Sequence, residues 1–144
     1  MSRPYIVPSE IAFKHCDPAG IVFYPRYVEM LNDTIEHWFK HELQVDFHEL
    51  HMTRRLGIPV VNLNVDFQSP GRLGDAITKE LRVEKLGRTS VGLRIELKAA
   101  EPPHTPKITA RMTIVFAGLD TIKPTDIPAD IKARIQAMID DGEA

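Results

Sequence analysis

The sequence predicts an α+β fold in which an antiparallel sheet packs on one side against a long helix. Three observations lead there. The apolar period changes from two to three or four after the turn at residues 16–20. From residue 58 onward it is two again, and four alternating segments follow one another before a short terminal helix. A run of strands with the helices segregated from it is the pattern of α+β folds with antiparallel sheets.

Taken in order, residues 5–14 (YIVPSEIAFK) put Tyr5, Val7, Ile11 and Phe13 on one side of a strand. Pro8 lacks a ladder donor, so the front of that strand belongs at a sheet edge. Asp17, Pro18 and Gly20 in CDPAG are turn residues. Val28, Leu31, Ile35 and Trp38 then form the stripe of a core-facing helix over about 24–42, with Pro25 suited to its first turn. Residues 46–55 read as a short helix or turn ended by Gly57. In 58–68, Val61, Leu63, Val65 and Phe67 share one face against Asn62, Asn64, Asp66 and Gln68. Ile77, Leu81 and Val83 alternate with Thr78, Glu80, Arg82 and Glu84. The short Leu86-Gly87-Arg88-Thr89 connection predicts a hairpin into Val91, Leu93, Ile95, Leu97 and Ala99. Ile108, Ala110, Met112, Ile114 and Phe116 mark the last strand. Asp126-Ile127-Pro128 opens the terminal helix, with Ile131, Ile135 and Met138 on one side.

Composition narrows the function classes. In 144 residues, 18 Lys and Arg face 20 Asp and Glu, a formal net charge of -2, which argues against a dedicated nucleic-acid binder. A single cysteine, Cys16, makes neither an internal disulfide nor a multi-Cys zinc site. No apolar run approaches the roughly 18 residues of a membrane span. MSRPYIVPSE has no apolar core of signal type, so a cytoplasmic location is expected. One domain over 1–144 has little surface for walling a deep pocket, and an enzyme of this size is expected to borrow walls from a second copy.

Three constellations are candidates for chemistry. His15-Cys16-Asp17 contains triad members, but neighbours along a strand alternate sides and form no nucleophile–base–orienter chain. Of the histidine set His37, His41, His48 and His51, the first two have a helical metal-ligand spacing, yet WFK between them lacks the glutamate of the metalloprotease motif, and a solvated face explains them. Asp17 stands at a strand-to-helix turn, close before a helix N-terminus. A carboxylate there attacks a carbonyl or activates water while free N–H groups hold the oxyanion. Pro25 has no N–H, leaving Phe23, Tyr24 or Arg26 as donor. A simple turn-initiating Asp before Pro is the plainer alternative.

The segment CDPAGIVFYPRY (16–27), leading into the long helix, resembles the signature of the 4-hydroxybenzoyl-CoA thioesterase family. GIPVVNLNVDFQSP (57–70) and GRTS (87–90) fall where that family has them, and the likeness spans about residues 5–118. The resemblance implies a hotdog fold, the long helix being wrapped by a curved five-stranded antiparallel sheet. It also implies a homodimer or homotetramer with active sites at subunit interfaces, and hydrolysis of an acyl-CoA without metal or separate cofactor. By position, Asp17 is the catalytic carboxylate and the Tyr24 N–H the oxyanion donor. Arg88, Thr89 and Ser90, with Lys85 as a weaker candidate, are the expected CoA contacts, and Gly20, Ile21 and Phe23 adjoin the acyl group. Two departures are visible. His15 stands where the family motif has a second acidic residue. Asn32, beside Asp33, stands where the 4-hydroxybenzoyl enzyme has an acidic group near the aryl hydroxyl. Either an aromatic or a short acyl group therefore fits. The alternatives are a thioesterase for aliphatic acyl-CoA or acyl-carrier-protein substrates, a hotdog hydratase, and a non-catalytic binding module.

Overall fold

Strands β1 (Tyr5–Glu10), β3 (Val60–Phe67), β4 (Ala76–Leu86), β5 (Ser90–Ala99) and β6 (Pro106–Val115) form one antiparallel sheet in a computed structural model describing residues 1–144. The spatial order is β1-β4-β5-β6-β3, which makes β1 and β3 the two edges. Helix α1 (Tyr24–His41) lies on the inner face and α2 (Ala129–Glu143) packs beside it. This is the hotdog architecture. Two-residue strands β2 (Leu56–Gly57) and β7 (Ala117–Gly118) pair separately, too short to be read from alternation.

The core follows from the two periods meeting. Ile77, Leu81 and Val83 on β4, Leu93, Ile95 and Leu97 on β5, and Ile108, Ala110 and Ile114 on β6 all point at α1 and are buried. The helix answers with Leu31, Ile35, Trp38 and Phe39. Each fully buried Val, Leu, Ile or Phe among them contributes about 1.5–3 kcal/mol through burial. Ile131, Ile135 and Met138 of α2 close the open end, Met138 Sδ lying 3.2 Å from Trp38 Nε1.

Several expectations need correction. The first strand stops at Glu10, because residues 13–15 tighten into a 3-10 turn and leave Phe13 exposed. Val28 does not join the buried stripe; it stays 41% exposed, on the flank of α1 that looks towards β3. In β3 the pairing with β6 slips between Val60 and Asn62, so Val61 is the extra residue and Val60, opposite Ile114, takes its place on the inner face. Lys79 occupies a core-facing register between Ile77 and Leu81 and is nine-tenths buried.

Candidate active site

The site is built on an uncapped helix start. Serine, threonine or aspartate ordinarily accepts the first free N–H groups of a helix, but the residue preceding α1 is Phe23, which makes no side-chain cap. Arg26 N donates to Phe23 O, Pro25 has no N–H, and the Tyr24 N–H finds no acceptor in the chain. An N–H at the positive end of an 18-residue helix is thus free to bind an oxyanion.

Asp17 is brought beside this terminus by a short antiparallel bridge between Cys16 and Val22. Asp17 N donates to Ile21 O at 3.0 Å and Phe23 N to His15 O at 2.9 Å, so residues 15–17 lie alongside 21–23. Gly20 closes the intervening turn with its N–H on Asp17 O, at φ +78, a conformation that only glycine adopts freely. Its role is conformational, since an added Cβ there would meet nothing. Asp17 Oδ1 accepts the Ala19 N–H at 2.9 Å, which orients the carboxylate and leaves Oδ2 without a protein partner. The loop is tied in turn to residues 71–73: Val22 N donates to Gly71 O and Leu73 N to Gly20 O.

Next to it opens an apolar cavity of about 330 Å³, lined by Ile21, Val22, Tyr24, Tyr27, Phe67 and Pro70 among others. Tyr27 is buried, its hydroxyl accepting the Gly71 N–H at 3.0 Å, and burial pushes its phenol above the ordinary range. Phe67 sets its ring edge-on to Tyr24, with centroids 6.3 Å apart. Ile21 is therefore a lining residue, whereas Phe23 turns its exposed ring against Tyr24 outside the cavity. Tyr27 and Phe67 escaped the sequence reading, although the alternation of 58–68 already put Phe67 on the inner face.

Asn32 and Asp33 part company. Asn32 continues the exposed stripe of Tyr24 and Val28, on the side of this cavity, at the four-residue spacing of one helix face. Asp33 lies round the helix beside Lys14, His15, Arg26 and Glu29. Arg88, Thr89 and Ser90 are not brought to Asp17 at all. They form the turn after β4, whose other end adjoins the Asp17 loop. Eleven residues of strand, about 35 Å at the usual rise, separate the two. Arg88 instead pairs with Asp126, and Thr89 O accepts the Phe116 N–H. Lys85 stands exposed just before this turn. The His37–His41 pair stacks on the helix surface with Tyr5 Oη against His37 Nδ1, and no third ligand joins it.

A carboxylate with one free oxygen, a helix N–H without acceptor and an adjoining cavity lined by Ile21, Tyr24, Tyr27 and Phe67 thus occur together on a hotdog scaffold. Residues 11–135 match the model of the thioesterase-like superfamily, and the chain belongs to that family. It is a thioester hydrolase. It is 27% identical over 135 residues to the 4-hydroxybenzoyl-CoA thioesterase of Pseudomonas sp. strain CBS-3, covering 90% of this chain and 96% of that one. Among solved structures, the 1,4-dihydroxy-2-naphthoyl-CoA thioesterase of Synechocystis superposes with a TM-score of 0.84 at 19% identity, over 93% of this chain and 96% of the other. A 4-hydroxybenzoyl CoA thioesterase mutant complexed with 4-hydroxybenzoyl CoA superposes with a TM-score of 0.83 at 25% identity, over 93% and 99%. No helix is long and apolar enough to cross a membrane.

Proposed function

We propose that the protein hydrolyses an aryl-CoA thioester to the free acid and CoA, with Asp17 as the catalytic carboxylate and the Tyr24 N–H as oxyanion donor. The observation that supports the reading is the Cys16–Val22 bridge, which ties the loop of Asp17, whose Oδ2 has no partner, to the start of α1, where the Tyr24 N–H has none. Two routes use this pair. In one, Asp17 adds to the thioester carbonyl and expels CoA thiolate, and water then cleaves the mixed anhydride. In the other, Asp17 takes a proton from water as the hydroxyl adds to the carbonyl and the thiolate departs. Both build negative charge on the carbonyl oxygen, where the helix N–H stabilises it more than in the ground state. The aromatic lining of the cavity and the relatives that act on hydroxyaryl-CoA thioesters support an aryl acyl group, with Asn32 as donor or acceptor to a ring substituent.

The working unit is a homodimer joined through β3, with a homotetramer as its further assembly. β3 is an edge strand whose inner-face residues Val60, Leu63 and Phe67 are 48%, 40% and 55% exposed. Antiparallel pairing of two copies of β3 covers them. It also sets the β4–β5 turn of one copy beside the Asp17 loop of the other, because the two turns occupy opposite ends of the sheet. The partner subunit's Arg88, Thr89 and Ser90 then meet the CoA phosphates, the arginine exchanging Asp126 for a phosphate oxygen. The site needs no cofactor beyond the CoA of its substrate, and a cytoplasmic location agrees with that supply.

Asp17→Asn is expected to lower kcat by about 10²–10⁴-fold while CoA-ester binding persists. Steady-state hydrolysis of a panel of aryl, short-chain and long-chain CoA thioesters, together with calorimetric binding, checks both. Undiminished turnover removes Asp17 from the mechanism, and hydrolysis confined to long aliphatic esters removes the aryl assignment.

A further inference from the structure

We propose that His15 is a positioning residue for this site. As a neutral imidazole it holds closed the turn that carries Asp17, and its carbonyl fixes the helix start that presents Tyr24. The inference rests on the thioesterase reading above.

Three hydrogen bonds tie His15 to both working segments. Its Nδ1 accepts the Ala12 N–H at 2.9 Å, and its own N–H donates to Ala12 O at 3.0 Å, closing the 3-10 turn Phe13–His15 reciprocally. Its carbonyl accepts the Phe23 N–H at 2.9 Å, one residue before Tyr24. Asp17 follows two residues later and is fastened by its N–H to Ile21 O. Loosening the turn at His15 therefore releases the carboxylate and the helix start together, although His15 need touch neither substrate nor reacting atoms.

The acceptor role sets the protonation state. A ring nitrogen that accepts an N–H carries no proton, so the imidazole is neutral with its hydrogen on Nε2. A protonated ring has two N–H groups, and the Ala12 N–H loses its acceptor. The charged groups facing the ring are Lys14 on its own turn, Arg26, Glu29 and Asp33 across on α1, and Lys79 on β4. Burial first and Lys14 next hold the imidazole below its ordinary value of 6.5, with Lys79 adding to them and Asp33 and Glu29 opposing. Lys79 is nine-tenths buried with no carboxylate in ion-pair reach, and burial pushes its own ammonium down as well. The sign follows: a group whose folded pKa is depressed supports the folded turn above its unfolded value and withdraws that support as pH falls through the folded one. The turn is thus closed by an acceptor that switches off as pH falls.

The test compares wild type, His15→Asn and His15→Leu with 4-hydroxybenzoyl-CoA as probe. Asn retains an acceptor at the position of Nδ1 and does not titrate; Leu has none. His15→Leu is expected to lower kcat about tenfold at neutral pH with KM within about twofold, the split of a lost transition-state geometry. His15→Asn should keep at least about half of wild-type kcat at neutral pH and carry its activity to lower pH than wild type does, the acid limb being moved down and made shallower. NMR should find the Nε2–H tautomer, and an Ala12 amide whose exchange protection falls as the ring protonates. The proposal is overturned by His15→Leu at wild-type kcat, by His15→Asn as damaged as His15→Leu, or by an acid limb in His15→Asn with the midpoint and steepness of wild type. Should His15→Leu not fold, the His15→Asn profile and the NMR decide. Should wild type cleave no CoA thioester, the thioesterase reading fails, and the turn-holding role stands or falls on the tautomer and the Ala12 amide.

Discussion

β1 and β3 border the same sheet, with six and eight residues respectively. β1 alternates half-buried with exposed positions, carries Pro8 in its middle and ends on Glu10, devices that stop another strand from adding. β3 has no proline, and seven of its eight residues are exposed, among them Val60, Val61, Leu63 and Phe67. The inner faces of β4, β5 and β6 are buried while most of β3 is left exposed, and Tyr24 and Val28 of α1 add to the uncovered strip. An exposed apolar edge strand is a hazard in a monomer. The difference teaches that the sheet is finished on the β1 side only, and the cavity beside Asp17 opens on the unfinished side.

The largest effect should come from spoiling that edge. Val61→Lys with Leu63→Lys sets charges where two copies of β3 would meet, and like charges face each other across the two-fold axis. The variant is expected to run as a monomer in sedimentation or light scattering, with kcat/KM down by about 100-fold or more although Asp17 and Tyr24 are untouched. A monomer of full activity would mean that one chain holds a complete site.

A second experiment asks which groups meet across the edge. Asp17→Asn and Arg88→Ala chains are each expected to be impaired, the latter by about a tenfold rise in KM from a lost phosphate contact. Mixed under subunit exchange, half of the dimers are heterodimers and each has one intact site, so kcat/KM should recover to about a quarter of wild type. Absence of recovery would detach Arg88 from the partner's substrate, leaving it as the surface partner of Asp126.

These two experiments turn on features of unequal legibility in the sequence. The strands were readable because Leu81, Leu93 and Ala110 fall on strict alternation, and Asp17 because Pro and Gly punctuate the turn behind it. Alternation says nothing about which strand ends meet, so the whole strand length that divides Arg88 from Asp17 within one chain is not legible in it. Nor does it reveal a bulge: Val61 looked like a regular member of its face until the slip against β6 displaced it. Val28 obeys the helical period yet stays exposed, since burial depends on what lies opposite and β3 leaves that flank open. Lys79 was discernible as a charge in an inward register between Ile77 and Leu81, a signal that period counting on apolar residues alone passes over.

The smallest effect is expected on the other edge, and it is the sharpest control. Ile6 on β1 is 49% exposed, nearly the exposure of Val60, and pairs opposite Glu80. If exposed apolar side chains on any edge strand sufficed for assembly, Ile6→Lys would dissociate the protein as the β3 variant does. Pro8, two residues on, denies a neighbouring strand its ladder, so the lysine should remain solvated near Glu80. Stability is then expected to shift by no more than about 0.5 kcal/mol in either direction, measured by urea unfolding, with oligomeric state and turnover at wild-type values. Dissociation by Ile6→Lys would make β1 an interface as well. The asymmetry of the two edges would then no longer explain where the site opens.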